Sequence, residues 1–279
     1  MSTPIAELIQ RLEDWAPPRW QESWDNCGWQ VEPGGLDQAA HVLVCLTPTL
    51  AVLEEALDLR RQGIGVNLIL AHHPLIFSPL KAITKSDAVG QVVYQAITQG
   101  IGLYSAHTNF DQVAGGTADT LAQILHLQNP EPVVPTQPGV GYGRVGDLAP
   151  VPSLQALLTT IQHVLAPPRL IYSPTADLRQ PIQRLAVLGG SGASFLGAVA
   201  KTGAQAYLTA DCKFHQFQEA RDGGVVLIDA GHYATERPAC AALVDWVQGQ
   251  GVAWAKLSQR DEDFRQFLAW DSSGAVAEA

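Results

Sequence analysis

Apolar positions along the chain fall into alternating rhythms. After Thr3-Pro4, the residues Ile5, Leu8, Ile9 and Leu12 recur at helical spacing, with the proline near the first turn, where its missing N–H is no loss. His41-Val42-Leu43-Val44-Cys45-Leu46 is a run of strand length and composition. Thr47-Pro48-Thr49 can start a helix, and Leu50 to Gln62 supplies it, with Val52, Leu53, Ala56 and Leu59 on one face. Gly63-Ile64-Gly65 ends it, and 66–70 reads as a second strand. A helix over 87–99, broken by Gly100, leads to a third strand at 101–106, and Gly115-Gly116 opens a helix ending near Leu127. Strands alternating with helices predict parallel pairing through right-handed crossovers.

Residues 128–152 are rich in Pro and Gly and read as a connection between lobes. Beyond it the same rhythm returns: helix 153–166, strand 185–188, a glycine loop at 189–192 and helix 194–202. Strand 205–209, helix 214–222, strand 225–228, helix 238–250 and strand 252–255 follow, and the tail 271–279 looks frayed. Val42–His73 and Leu185–Cys212 share one order of strand, turn, helix, Gly, strand and polar residues. We therefore expect an α/β protein of two similar lobes with mixed sheets, related by internal duplication, with a metal cleft between them. The first lobe spans 1–127 and the second 153–279, whose terminal helix and strand are free to pack back on the first. The loop holding Trp20, Trp24, Asp25, Asn26, Cys27, Gly28, Trp29 and Gln30 reads as a packed lid or an interface, packing being the commoner fate of tryptophan.

Composition narrows the class. The 279 residues are 47% hydrophobic, enough for a sizeable core, while only 16% are charged and the net charge is -10. Without a basic run, nucleic-acid binding through phosphate neutralisation is not expected. The four cysteines are scattered, which fits a reducing, cytoplasmic setting better than a disulfide framework. No apolar run approaches membrane-spanning length.

The candidate chemistry sits where strands end, the usual place for ligands in α/β proteins. The strand at 66–70 delivers His72-His73-Pro74, and the next delivers His107-x-x-x-Asp111. In the second half the corresponding ends carry Asp211-Cys212-Lys213-Phe214-His215 and His232-x-x-x-Glu236. A single H-x-x-x-D is commonly a hydrogen-bonded turn. Several imidazole and carboxylate clusters, all at strand ends, point to a metal site. The nitrogen and oxygen donors suit Zn, Fe, Mn, Co or Ni and disfavour a structural zinc site. Their number suits two divalent ions about 4 Å apart, with Glu236, the longer carboxylate, as the bridge. Lys213 and His215 are the candidate catalytic pair, as anion anchor and proton shuttle, against a plain solvated turn. Gly189-Gly190-Ser191-Gly192 could cradle phosphate, although tight backbone packing is the commoner reason for such a turn.

These segments together resemble a known family. Trp24-Asp25-Asn26-Cys27-Gly28-Trp29-Gln30-Val31, Ala71-His72-His73-Pro74-Leu75, Tyr104 to Asp111 with Gly115-Gly116, Leu188 to Gly192, and Asp229 to Glu236 match, in order, the Nif-three-like family of type-2 GTP cyclohydrolase I homologues. The resemblance implies a dinuclear metal centre held by His72, His73, Asp111, His232 and Glu236, with His107 a sixth ligand or a partner behind the ligands. It also implies a homohexamer. Two departures are visible: Cys45-Leu46-Thr47 where the family often carries an acid, and Ala210 where it carries glycine. The implied activity is metal-dependent hydrolysis of a small molecule, a nucleotide or phosphorylated metabolite, by a metal-bridged hydroxide, either opening a purine ring as on GTP or cleaving a phosphoester. The alternative is a metal-binding hexameric scaffold, regulatory or metal-handling protein without turnover.

Overall fold

The computed structural model describes residues 2–174 and 177–268, so the tail expected to fray lies outside the described residues. The first part of the chain runs α1 (Ile5–Trp15), β1 (Gly28–Val31), β2 (His41–Cys45), α2 (Leu50–Arg61), β3 (Leu68–Ala71), α3 (Ala88–Gln99), β4 (Gly102–Ser105), α4 (Thr108–Gln112) and α5 (Thr117–Ile124). Next come β5 (Gln128–Glu131), β6 (Val134–Gln137), β7 (Val140–Tyr142), β8 (Arg144–Asp147), α6 (Leu154–Leu165) and β9 (Ile171–Tyr172). The rest is β10 (Arg184–Val187), α7 (Leu196–Lys201), β11 (Ala206–Thr209), α8 (Phe214–Asp222), β12 (Val226–Asp229), α9 (His232–Gly249) and β13 (Trp254–Leu257).

Two mixed sheets organise these elements. The first has the order β1-β4-β3-β2-β13, and the second β5-β8-β10-β11-β12-β9. In the first, β4, β3, β2 and β13 are mutually parallel and β1 is an antiparallel edge. In the second, the parallel trio β10, β11, β12 is flanked by antiparallel strands. Both faces of the first sheet are buried, which is why its strands read as unbroken apolar runs. Val42, Val44, Leu68 and Leu70 pack with Leu8 of α1 and Leu243 of α9, while Leu43, Ile69 and Leu103 pack with Val52, Leu53 and Val92 of α2 and α3. The second sheet repeats the arrangement, with Leu185, Val187 and Leu208 towards α5 and α6 and with Ala186, Tyr207 and Leu227 towards α7 and α8. Helix α9 serves both cores, Leu243 and Val247 in the first and Ala234 in the second. Among the described residues no helix is long and apolar enough to cross a membrane.

Three local readings change. The Pro/Gly-rich stretch expected to be a connection holds β5 to β8, and β8 sits beside β10 within the second sheet, with Gly141 and Gly146 placed where a Cβ would meet neighbouring backbone. Helix α9 begins at His232 instead of 238, carrying Pro238 inside it. The sequence favours a start at Pro238 because proline suits a first turn, but here packing tolerates its missing N–H one turn further in. The last strand lies at Trp254–Leu257, two residues later than its apolar pattern placed it, because Ala255 and Leu257 pair with Val42 and Val44.

Candidate metal centre

His72 and His73 follow β3 directly. Their N–H groups donate to Cys45 O at 3.1 Å and Leu46 O at 2.8 Å, so the β2–β3 pairing continues past the strands and fixes both backbones. His107 follows β4 and caps α4, and the N–H of Asp111 donates back to His107 O at 3.0 Å, which sets the carboxylate one turn on. From the other sheet, β12 leads into α9, whose His232 and Glu236 are four apart and share one helix face.

The side chains converge. His73 Nε2 lies 3.0 Å from Glu236 Oε2, and His232 Nε2 lies 2.8 Å from the same oxygen. Glu236 Oε1 turns the other way, 3.7 Å from His72 Nε2, which is also 3.6 Å from Asp111 Oδ1. His72, His73 and His107 bring one ligand atom each within 4.8 Å of one another, and His73, His232 and Glu236 form a second such group. All six residues proposed from the sequence as metal donors therefore meet in one place.

Behind each imidazole stands a partner for its other nitrogen. His72 Nδ1 is 2.9 Å from Ala106 O, His73 Nδ1 2.8 Å from Thr47 Oγ1, His107 Nδ1 2.8 Å from Asp25 Oδ1, and His232 Nδ1 2.7 Å from Asp211 Oδ2. With Nδ1–H donating to these acceptors, every Nε2 presents its lone pair to the same space, the orientation metal-binding histidines need. Asp25 is held in turn by Thr108, whose N–H donates to Asp25 Oδ2 at 3.1 Å. Neither Asp25 nor Thr47 is among the site residues that the sequence points to. Asp25 lies 82 positions from His107, and only its place beside Trp24 in the matched segment could have marked it.

The fit to a cation rests on unsatisfied chemistry. His72 Nε2 and Asp111 Oδ1 are fully buried and have no hydrogen-bond partner, a costly state unless something occupies the space between them. Charge points the same way. Burial alone would depress His72, but Asp111 and Glu236 outweigh it and raise its pKa to about 9. His232, also opposed by burial, is raised to about 10 by Glu236 and Asp211. Burial would raise Glu236, yet the charge of His232, its contact and that of His73, and the nearby His72 hold it well below the carboxylate range. Burial lowers His73 and, helped by the charge of Glu236, raises Asp111. A pocket that draws protons onto the buried His72 and the half-buried His232 is one that favours positive charge, and a divalent ion supplies it to nitrogen and oxygen donors of this kind.

The glycine loop has a packing role. Gly190 sits at φ +64, and a Cβ there would lie 2.1 Å from Glu236 Oε1. Two of its N–H groups are committed, Gly190 N to Thr235 Oγ1 and Gly192 N to Thr209 Oγ1, each at 3.0 Å. The loop thus makes room for Glu236, and those two donors are not free to cradle a phosphate. Lys213 and His215 are exposed where α8 begins and do not line the cleft. The chain turns at Asp211, in a left-handed conformation of φ +52, which sends Asp211 to His232 and the next residues to the surface.

An α/β protein with imidazoles and carboxylates gathered in this way belongs to the class able to bind a metal between two sheets. Its family is settled by comparison: the model of the Duf34/NIF3 (NGG1p interacting factor 3) family matches residues 3–260, and the chain belongs to that family. A Nostoc sp. protein named GTP cyclohydrolase 1 type 2 homolog is 64% identical over 264 residues, covering 95% of this chain and 98% of the relative. One of the same name from Clostridium perfringens is 34% identical over 238 residues, covering 84% and 87%. Among solved structures, a Bacillus cereus protein related to NIF3 shares the fold, with a TM-score of 0.85 at 23% identity over 96% of this chain and 100% of that one. Reduced HcgD from Methanocaldococcus jannaschii superposes with a TM-score of 0.77 at 28% identity, covering 92% and 98%.

Proposed function

We propose that the protein is a metal-dependent hydrolase of a small molecule of the nucleotide or phosphorylated-metabolite class, the class to which its relatives' name refers. The carrying observation is the split of Glu236 between two donor sets. One oxygen faces His73 and His232 at 3.0 and 2.8 Å, and the other faces His72 at 3.7 Å. In this reading His72, His107, Asp111 and Glu236 would hold one divalent ion, and His73, His232 and Glu236 a second. Such a pair, when bound, would supply Lewis acidity, lowering the pKa of a water towards neutral pH. The chain's own residues do the rest. Ala106 O, Thr47, Asp25 and Asp211 keep the four imidazoles in one tautomer, so the donors are preorganised. A cavity of about 730 Å³, lined by His73, His107, Asp111, His232 and Glu236, opens beside them and has room for a metabolite.

The test is elemental analysis of protein purified without a metal-affinity tag, followed by turnover assays on nucleotides and phosphoesters with each candidate ion. Two ions per chain and a turnover that disappears on chelation and returns on reloading are expected. Full metal occupancy with no hydrolysis of any such substrate would favour a non-catalytic role.

A further inference from the structure

We propose that the cleft recognises its ligand by a planar heteroaromatic ring of purine size, held by aromatic side chains, and offers no protein cation to a polyphosphate. This deepens the hydrolase reading and rests on it for the two ions. Four aromatic residues line the same cavity as the metal donors: Trp24, Phe77, Tyr142 and Phe195. Trp24 and Phe77 are each 56% exposed, with ring centroids 5.8 Å apart. Two large rings left bare at the mouth of a polar centre have apolar area to gain from a ligand. Trp24 also meets His107 edge-on, with ring centroids 6.1 Å apart, so a ring placed on it comes close to the donor set. Tyr142 and Phe195 are stacked at 5.6 Å, and Gln112 Nε2 donates to the Tyr142 hydroxyl at 2.9 Å, which holds that wall rigid.

The charges decide between ring and phosphate. The lining of this cavity contains Glu22, Asp111 and Glu236 and, among the described residues, no lysine or arginine, while Arg265 in the adjoining pocket is already paired with Asp211 and Asp263. Two divalent ions would exceed those three carboxylates by a single positive charge. That suits a neutral ligand or one anionic group resting on the ions, and it is poorly matched to a triphosphate, which proteins ordinarily meet with Lys, Arg or free backbone N–H groups. The glycine loop adds little to offset this, since two of its N–H groups, those of Gly190 and Gly192, are already bonded.

Calorimetric titration of the metal-loaded full-length protein with guanosine, GTP and inorganic tripolyphosphate tests this. Guanosine and GTP should bind with similar affinity, and tripolyphosphate about tenfold or more weakly. Trp24→Ala and Phe77→Ala, both at exposed positions, should each weaken guanosine roughly 5- to 100-fold with metal content unchanged. Tripolyphosphate binding as tightly as GTP while guanosine fails to bind, or wild-type guanosine affinity in both variants, overturns the proposal. Binding is read without turnover, so the two readings fail separately. Guanosine binding without hydrolysis of any substrate counts against the hydrolase alone, and phosphoester hydrolysis without guanosine binding counts against the ring alone.

Discussion

His107 and Asp111 leave the end of β4 through a helix of 5 residues, whereas His232 and Glu236 open one of 18. Both pairs have the same spacing, yet a helix as short as α4 cannot sustain itself, because its nucleus costs more than one turn returns. Tertiary hydrogen bonds hold it instead: Asn109 Nδ2 donates to Ala16 O at 2.6 Å, Gln112 Nε2 to Trp20 O at 2.7 Å, and Thr108 N to Asp25 at 3.1 Å. Helix α9 has length of its own and is gripped by both cores. The backing carboxylates differ in the same sense. The side chain of Asp25 behind His107 is 0% exposed, and that of Asp211 behind His232 is 39% exposed. One half of the centre is thus built into the packed loop of residues 16–25, and the other stands on a helix at the solvent edge.

The contrast is broken most severely by Glu236→Ala, which removes the carboxylate whose two oxygens face different donor sets. We expect at least one ion to be lost per chain by elemental analysis; a variant that kept two would refute the bridging role. Next in size is the dependence on pH. Metal needs neutral imidazole, and His72 and His232 carry protons up to about 9 and 10 in the metal-free protein. Loading at pH 7 should therefore release two protons, and affinity should climb up to roughly 100-fold per pH unit until those values are reached, and drop as the pH falls. Calorimetry in buffers of different ionisation enthalpy counts the protons, and a count of zero would mean that the imidazoles are not the donors. Asp25→Asn and Asp211→Asn then sharpen the difference between the halves. Losing a carboxylate behind a metal-binding histidine typically costs roughly 10- to 100-fold in affinity. The buried Asp25 should lie near the upper end and the solvent-screened Asp211 near the lower, as read by competition with a chelating dye. Equal losses would show that burial does not separate them.

Much of this is legible in the sequence alone. The apolar rhythm located the strands of both sheets' parallel cores, and the His72-His73 pair with the two four-residue spacings named the donors that converge. Helix α4 went unseen because it is too short to have a periodicity. The start of α9 was misplaced because Pro238 carries a strong local signal that packing overrides. The strands within 128–152 were hidden behind glycines and prolines that in a linker would look the same.

Local chemistry alone determined which residue types stand at strand ends, since strand length, turn composition and the i, i+4 spacing are set by neighbours a few positions apart. The path of the chain decided the rest. It brought Asp25 to His107 across 82 positions and Glu236 to His73 across 163. It also turned the glycine loop into the space for one carboxylate and left Lys213 and His215 outside the cleft. These outcomes depend on how two sheets are joined through α9, and that is a property of packing to which no short window of residues has access.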